Sequence, residues 1–301
     1  MALPFSLISD LKICFYYLTN IFEIVTTIKN SPCHNSWAEK MTKRIQVNVP
    51  YKMLLEKLDF VLENELNPEI YFDNQALDDY READLMRINT ALKEKGRSVT
   101  IHAPFMDLSP GGVDSKVKKA TIERLNQTIE VAAIFNPQII IFHPGYNKWF
   151  FDENVALWLE NSLTTWRPIV SKVEKLDIPI ALENIFEEEP SSLHKLLSTI
   201  QSPFFNFCFD TGHFNLFSTV PMKNWFDVLG KYIKEVHLHD NFKKFDDHFP
   251  IGDGAIDFDL FFQLIKKQGD DIIYTIEPHK IEHLERSLEA CRDYLIKADI
   301  S

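Results

Sequence analysis

The sequence predicts one (β/α)8 TIM barrel of the α/β class with an N-terminal extension. Short β-rich runs alternate regularly with longer amphipathic runs from residue 45 onward. The chain of 301 residues is long enough for one large barrel or for two ordinary domains. The turn after the first predicted strand, VNVPYKM, contains no glycine. An open doubly wound sheet is therefore disfavoured, because it usually carries a glycine-rich phosphate turn there.

Eight predicted strands are short and rich in β-branched and aromatic residues. In chain order they are IQVNV (45–49), EIYFD (69–73), SVTIHA (98–103), QIIIFH (138–143), PIALEN (179–184), FNFCFD (205–210), KEVHLH (234–239) and IIYTIE (272–277). Pro68, Pro137 and Pro179 stand at or just before strand starts, where a missing N–H costs little. These positions agree with the proposed strand boundaries.

Helical patterns fill the intervals between the strands. The clearest are YKMLLEKLDFVLENEL (51–66), KVKKATIERLNQTIEVAAIF (116–135) and the closing IEHLERSLEACRDYLIKA (281–298). In the second, apolar residues recur at near-helical spacing. They are Ala120, Ile122, Leu125, Ile129 and Ala132. Eight strands, each followed by a helix, are expected to close into a barrel.

Residues 1–40 are predicted to be an extension outside the fold, and residues 41–301 to form the barrel. The apolar segment 11–28 carries Lys12, Asn20 and Glu23, which makes it a poor membrane span. It also lacks the basic leader of a secretory signal. Residues 30–40 have the composition of a linker, and Met41 resembles a natural start. The alternative is a helix added to the outside of the barrel.

The composition of the chain limits the classes of partner and compartment that we expect for the protein. The formal net charge is −12 and the pI about 5.3, so affinity for phosphate backbones is disfavoured. No CxxC spacing links the four cysteines, which fits reduced thiols in a cytoplasmic protein. These cysteines are Cys14, Cys33, Cys208 and Cys291.

Imidazole or carboxylate groups stand at the ends of six consecutive predicted strands. They are His102, His143, Glu183, Asp210 (with His213 shortly after it), His237 and Glu277, and the loop after the seventh strand adds Asp246 and His248. Asp210 alone could be a helix cap. Converging at one mouth, however, these groups would be destabilising without a compensating cation. Oxygen and imidazole donors without thiolate indicate zinc, manganese or a related divalent ion.

The ordered motifs HAPF, FHPG, LEN, FDTGH, HLHDN, D-x-H-x-P-x-G-x-G-x-ID and IEP resemble the xylose-isomerase-like TIM-barrel superfamily. That superfamily includes endonuclease IV (AP endonuclease family 2) and the sugar phosphate isomerase/epimerases. The resemblance covers residues 44–298, nearly the whole predicted barrel.

Two ligand patterns follow from this resemblance. The endonuclease IV pattern implies up to three metal ions, zinc foremost, on His102, His143 and Glu183; on Glu183, Asp210, His237 and Glu277; and on His213, Asp246 and His248. The isomerase and epimerase pattern implies one ion on Glu183, Asp210, His237 and Glu277. In that pattern Glu183 and Glu277 also form the acid/base pair.

The surroundings differ from those of the repair enzyme. The turn after the first strand lacks the glycine-rich DNA-contacting loop that the resemblance to endonuclease IV implies. We therefore expect a small phosphorylated or sugar-like substrate, and neither duplex DNA nor a membrane as partner. The expected activity is metal-dependent phosphoester hydrolysis, favoured by Asp246 and His248. The alternatives are a sugar isomerase or epimerase using Glu183 and Glu277, and a barrel that only binds a ligand.

Three neighbouring features receive simpler interpretations. His239 is expected to be at most a neighbour of the ligands. The acidic run FEEEP (186–190) is interpreted as a solvated loop. Trp149 and Phe150 either line the pocket or cover the rim of the barrel.

Overall fold

Eight parallel strands form a closed barrel in chain order. The computed structural model describes residues 44–300, and side chains as far as residue 297. The first strand pairs with both the second and the eighth, which closes the sheet. The strands are β1 Ile45–Pro50, β2 Pro68–Tyr71, β3 Thr100–His102, β4 Ile140–Phe142, β5 Ile180–Glu183, β6 Phe205–Asp210, β7 Ile233–Leu238 and β8 Ile273–Ile276. The predicted fold class is therefore confirmed.

Helices follow the strands along the described part of the chain. They are α1 Tyr51–Glu63, α2 Asn74–Asp79, α3 Glu82–Glu94, α4 Ser115–Phe135, α5 Val155–Leu176, α6 Ser191–Ile200, α7 Thr211–Phe217, α8 Met222–Leu229, α9 Phe258–Ile265 and α10 Ile281–Ile300. Short 3-10 helices occupy Gly230–Tyr232 and Lys266–Gln268. Several predicted strands are one to three residues too long, and α1 ends earlier than predicted. Glu65 has a left-handed backbone (φ 54°), which a continuing helix cannot contain.

Two apolar layers hold the barrel together. The larger core lies between the strands and the helices and includes Trp158, Trp166 and Trp225, each at most 1% exposed. A separate buried cluster consists of Ile139, Ile141, Ala181 and Cys208. Side chains alternate along a strand, so Ala181 and Cys208 face the same side as Glu183 and Asp210. This second cluster therefore lies inside the barrel, beneath the polar strand ends.

The connection after β7 is organised by one buried carboxylate, Asp240. Its Oδ2 accepts the backbone N–H groups of Gly252 and Gly254, and its Oδ1 accepts those of Ala255 and Ile256. Asp240 also exchanges two backbone hydrogen bonds with Phe249. This ring of bonds fixes the loop that carries Asp246 and His248.

Three expectations fall partly or wholly outside the described residues. The proposed extension, residues 1–40, lies in the part that the structure does not describe, as do Cys14 and Cys33. Cys208 and Cys291 are buried free thiols. Within residues 44–300, no helix is long and apolar enough to cross a bilayer.

Candidate metal centre at the mouth of the barrel

Glu183, at the end of β5, is surrounded by imidazoles from four other segments. Its Oε2 lies 3.2 Å from His102 Nε2, 3.4 Å from His143 Nε2 and 3.2 Å from His237 Nδ1. Its Oε1 lies 3.0 Å from His213 Nδ1. The carboxylate is 1% exposed. The structure thus brings together strand ends that are far apart in sequence around this one carboxylate.

His237 lies between carboxylates on two sides. Its Nδ1 is 3.2 Å from Glu183 Oε2 and 3.3 Å from Glu277 Oε1, and Nε2 is 3.3 Å from Glu69 Oε2. Neither ring nitrogen has a hydrogen-bond partner of good geometry among the described residues. Asp210 Oδ2 lies 4.0 Å from Nδ1. The set Glu183, Asp210, His237 and Glu277, called here the inner cluster, therefore collects around His237 Nδ1.

Asp210 serves two purposes at once. Its Oδ1 accepts the backbone N–H of His213 at 2.6 Å, as the cap of α7. Its backbone N–H donates to Asn184 Oδ1, and its backbone oxygen accepts from Asn184 Nδ2. Its Oδ2 remains at the mouth, where it meets His239 Nε2 at 3.0 Å. Asp210 therefore caps α7 through one oxygen and faces the other predicted site residues with the second.

Asp246 and His248 lie beside the inner cluster, next to His213. Asp246 Oδ2 is 3.5 Å from His213 Nε2 and 3.1 Å from His248 Nε2. His248 Nδ1 is 2.9 Å from the backbone oxygen of Glu277. The structure therefore brings this sequence-predicted trio together as well.

His239 is closer to the chemistry than the sequence analysis allowed. It is 1% exposed, it contacts Asp210, and its ring stacks on that of His248 with centroids 3.6 Å apart. His237 and His239 are two residues apart on β7 and its extension, so they face the same side. This alternation was the signal that could have identified it.

Two buried acids beneath the site were missed by the sequence analysis. Glu69 on β2 and Glu235 on β7 are both fully buried and both approach His237 Nε2, at 3.3 and 3.9 Å. Asn48 donates to Glu69, and Thr275 donates to Glu235. The sequence signal that could have identified them is a charged residue inside an otherwise apolar strand, as in PEIYF.

The acidic run after β5 is not a uniformly solvated loop, so that interpretation is wrong for Glu187. This residue is 2% exposed, and its Oε2 accepts the N–H of Ile185 at 2.9 Å. Burial raises its pKa to about 7. Trp149 and Phe150 are 73% and 86% exposed, respectively. These two rings are therefore not packed into a buried pocket wall.

The pKa values of the two glutamates in the inner cluster are shifted in opposite directions. Burial disfavours the carboxylate of Glu183, but the charges of His237 and His143 outweigh it and hold the pKa of Glu183 well below its ordinary value. Burial raises the pKa of Glu277 to about 7, with the Glu183 charge acting in the same direction. Environments that separate two pKa values in this way are typical of acid/base pairs.

The residues of the inner cluster fit a divalent cation. Their oxygen and imidazole donors are the ligands that zinc and manganese accept, and the buried Nδ1 of His237 faces carboxylate oxygens without a hydrogen bond. Donor atoms lying within 4.8 Å of one another occur in the groups His102–His143–Glu183 and Glu183–Asp210–His237. The arrangement can therefore hold positive charge at the centre of the mouth.

The chain belongs to the xylose isomerase-like TIM barrel family, whose model matches residues 68–296. Members of this family are mostly enzymes, among them epimerases, isomerases and endonuclease IV, and they bind divalent metals. A relative in Methanocaldococcus jannaschii, the uncharacterized protein MJ1311, is 31% identical over 204 residues, which cover 65% of this chain and 70% of that protein.

Solved structures share the fold of this chain. A D-tagatose 3-epimerase-like protein is 27% identical with a TM-score of 0.73, covering 85% of this chain and 98% of that one. The TTHB071 protein from Thermus thermophilus, soaked with ZnCl2, is 22% identical with a TM-score of 0.70, covering 84% and 98% of the two chains. D-psicose 3-epimerase from Clostridium cellulolyticum H10 is 12% identical with a TM-score of 0.69, covering 84% and 99%. The last two likenesses concern the fold alone.

Proposed function

We propose that the protein is a metal-dependent epimerase or isomerase of a small sugar. The observation that carries the proposal is the convergence of two carboxylates on one buried imidazole nitrogen. Glu183 Oε2 and Glu277 Oε1 lie 3.2 and 3.3 Å from His237 Nδ1. Two carboxylates that converge on one point can serve both faces of a substrate carbon.

The inner cluster would hold a divalent cation of the zinc or manganese type. Such an ion, when bound, polarises a carbonyl oxygen and makes the adjacent C–H group more acidic. Glu183, whose depressed pKa keeps it ionised at neutral pH, would be in the charge state that can accept that proton. Glu277, with a pKa of about 7, can return a proton to the carbon. One proton leaves and one arrives, so an epimerisation is balanced.

The net charge of the chain and one structural relative support a small sugar substrate. The chain carries a net charge of −12, which opposes the approach of a nucleic-acid backbone. The structural relative with 27% identity is described as D-tagatose 3-epimerase-like. This relative favours sugar chemistry over the hydrolase that the sequence analysis placed first.

Phosphoester hydrolysis remains the second candidate, because one specific arrangement favours it. Asp246 and His248 stand beside the inner cluster, and Asp246 Oδ2 reaches His213 Nε2 at 3.5 Å. A one-metal epimerase does not need these residues as ligands. A multi-metal hydrolase uses neighbouring cations to clamp the attacking and leaving oxygens.

The experiment is a direct comparison of the two activities. The full chain, loaded separately with Zn²⁺ and Mn²⁺, is incubated with a panel of ketohexoses and with bis(p-nitrophenyl) phosphate. The proposal predicts metal-dependent interconversion of at least one sugar, and its loss in Glu277→Gln. Phosphodiester cleavage without any sugar interconversion would replace the first candidate by the second.

A further inference from the structure

Asn48, near the end of β1, places its side-chain amide between two carboxylates. It is paired with Glu69 of β2, and the pairing of Val47 with Ile276 places Glu277 beside Asn48 on the other side. Val47 belongs to the apolar core between strands and helices, so the alternation of side chains directs Asn48 into the barrel. The three polar side chains therefore lie side by side on three neighbouring strands.

The amide nitrogen of Asn48 donates to both carboxylates. Nδ2 lies 2.8 Å from Glu69 Oε1 and 3.4 Å from Glu277 Oε1. An amide nitrogen carries two hydrogens, so it can serve both oxygens at once, which neither a hydroxyl nor a carboxylate at this position could do. The bond to Glu69 has an ordinary length, whereas the bond to Glu277 is long. The first bond therefore fixes the amide, and the second N–H group reaches toward Glu277.

Glu69 is a firm anchor for this amide. It is fully buried within β2, and Thr100 Oγ1 lies 3.5 Å from its Oε2. Asn48, in contrast, is only partly buried. Its side chain therefore connects a rigid buried layer with the groups at the mouth of the barrel.

The carboxylate of Glu277 has little else to hold it, just after the end of β8. Its Oε2 lies 3.8 Å from both His239 Nε2 and His248 Nδ1, beyond hydrogen-bond distance. His237 Nδ1 is 3.3 Å from Oε1 but lacks hydrogen-bond geometry. Among residues 44–297, Asn48 is therefore the only residue that hydrogen-bonds this carboxylate. Without that bond, a glutamate side chain has several staggered rotamers open to it.

We infer that Asn48 is a positioning residue: its amide, anchored on Glu69, holds the Glu277 carboxylate in its place in the inner cluster. The inference rests on the proposed function, in which Glu277 binds the cation and returns a proton to the substrate carbon. Neither ligand pattern implied by the family resemblance includes a residue of β1. The role of Asn48 is exercised through Glu277, as for the hydrogen-bonded partners that orient metal ligands in general.

The test is a double-mutant cycle on Zn²⁺ affinity, measured by calorimetry with the full chain. Asn48→Ala should bind Zn²⁺ about tenfold more weakly than wild type, because the loss of a group that orients a ligand has effects of this size. In a Glu277→Ala background the same substitution should change the affinity no further, since the carboxylate that it positions is gone.

Asn206→Ala is the matched control. Asn206 is a buried amide on β6 that donates only to the backbone oxygens of Ile180 and Pro203. Its removal takes away an interior amide without touching the inner cluster. The Zn²⁺ affinity of this variant should therefore match that of wild type.

Two further measurements separate positioning from a merely structural role. The visible absorption spectrum of Co²⁺-loaded Asn48→Ala should shift toward that of Glu277→Ala, because this spectrum reports which groups bind the ion. In crystal structures without metal, Glu277 Oε1 should leave its place beside His237 Nδ1 in Asn48→Ala and keep it in Asn206→Ala.

Three results would overturn the inference. They are wild-type Zn²⁺ affinity in Asn48→Ala, an unmoved Glu277 carboxylate in its crystal structure, and a loss of affinity that persists in the Glu277→Ala background. The last would show that Asn48 acts through Glu69 and His237. If wild type bound no metal, the metal-free crystal structures would decide alone. Failure of the proposed function is seen separately, because a chain that shows the coupling but interconverts no sugar keeps this role of Asn48 and loses the epimerase assignment.

Discussion

Asp210 Oδ2 and His239 Nε2 lie 3.0 Å apart at the mouth of the barrel, and both residues are buried. Asp210 belongs to the inner cluster through its position beside His237, and His239 stacks on His248. This hydrogen bond therefore connects the inner cluster to the histidines beside it.

Glu183→Gln should abolish most of the activity while leaving the barrel folded. The substitution keeps the shape but removes the negative charge that four imidazoles surround. We expect turnover to fall by about 10³-fold or more, as for loss of an acid/base group that is also a metal ligand. Steady-state kinetics at saturating metal measure the effect. Glu188→Gln, in the loop that follows the same strand, is the control, and near wild-type turnover in Glu183→Gln would place the active site elsewhere.

Gly212→Ala should be destabilising only when His239 is present. The added methyl overlaps the imidazole, and overpacking of this kind costs about 1–3 kcal/mol. In a His239→Ala background, the same substitution should be neutral or slightly favourable, because alanine is the better helix former by about 1 kcal/mol. Urea denaturation of the wild type, both single variants and the double variant gives the coupling energy. Equal costs of Gly212→Ala in the two backgrounds would show that the close approach does not explain the glycine.

Asp240→Asn should loosen the loop that carries Asp246 and His248. The two oxygens of the buried carboxylate accept four backbone N–H groups from the C-terminal part of this loop, and an amide cannot accept at both positions. We expect a loss of about 3 kcal/mol in unfolding free energy and faster hydrogen exchange in residues 241–256. Asp257→Asn provides the comparison: it makes the same chemical change at the exposed cap of α9, where asparagine caps about as well as aspartate, so little stability should be lost. Unchanged hydrogen exchange in Asp240→Asn would show that Asp240 does not organise this loop.

Much of the architecture could be predicted because period-2 and period-3.6 patterns alternate cleanly along the chain. His102, His143, Glu183, Asp210, His237 and Glu277 could be identified as candidates because each ends a strand, and a closed barrel brings strand ends together. Glu187 could not be identified as buried, because its burial depends on the path of an irregular loop. His239 was underestimated because its neighbour His237 already explained the motif. Its importance lies in contacts with Asp210 and His248, and sequence spacing does not reveal them.

Metal affinity should rise with pH. In the metal-free protein the pKa of Glu277 is raised to about 7, so below that pH a proton occupies the carboxylate. A cation has to displace this proton, so affinity should fall by about tenfold for each pH unit below 7. Calorimetry in buffers of different ionisation enthalpy should show proton release near pH 6.5 that is reduced in Glu277→Gln. Affinity independent of pH between 5.5 and 8 would contradict the assignment of Glu277 as a ligand.

The central claim, proton transfer at a sugar carbon by Glu183 and Glu277, is tested most directly by solvent deuterium incorporation. The metal-loaded full chain is incubated in D2O with each ketohexose, and the recovered sugar is analysed by mass spectrometry and NMR. The account predicts metal-dependent incorporation of one deuterium at a carbon next to the carbonyl, lost in Glu183→Gln and Glu277→Gln. Conversion of a sugar without deuterium incorporation, or incorporation that survives both substitutions, would contradict it.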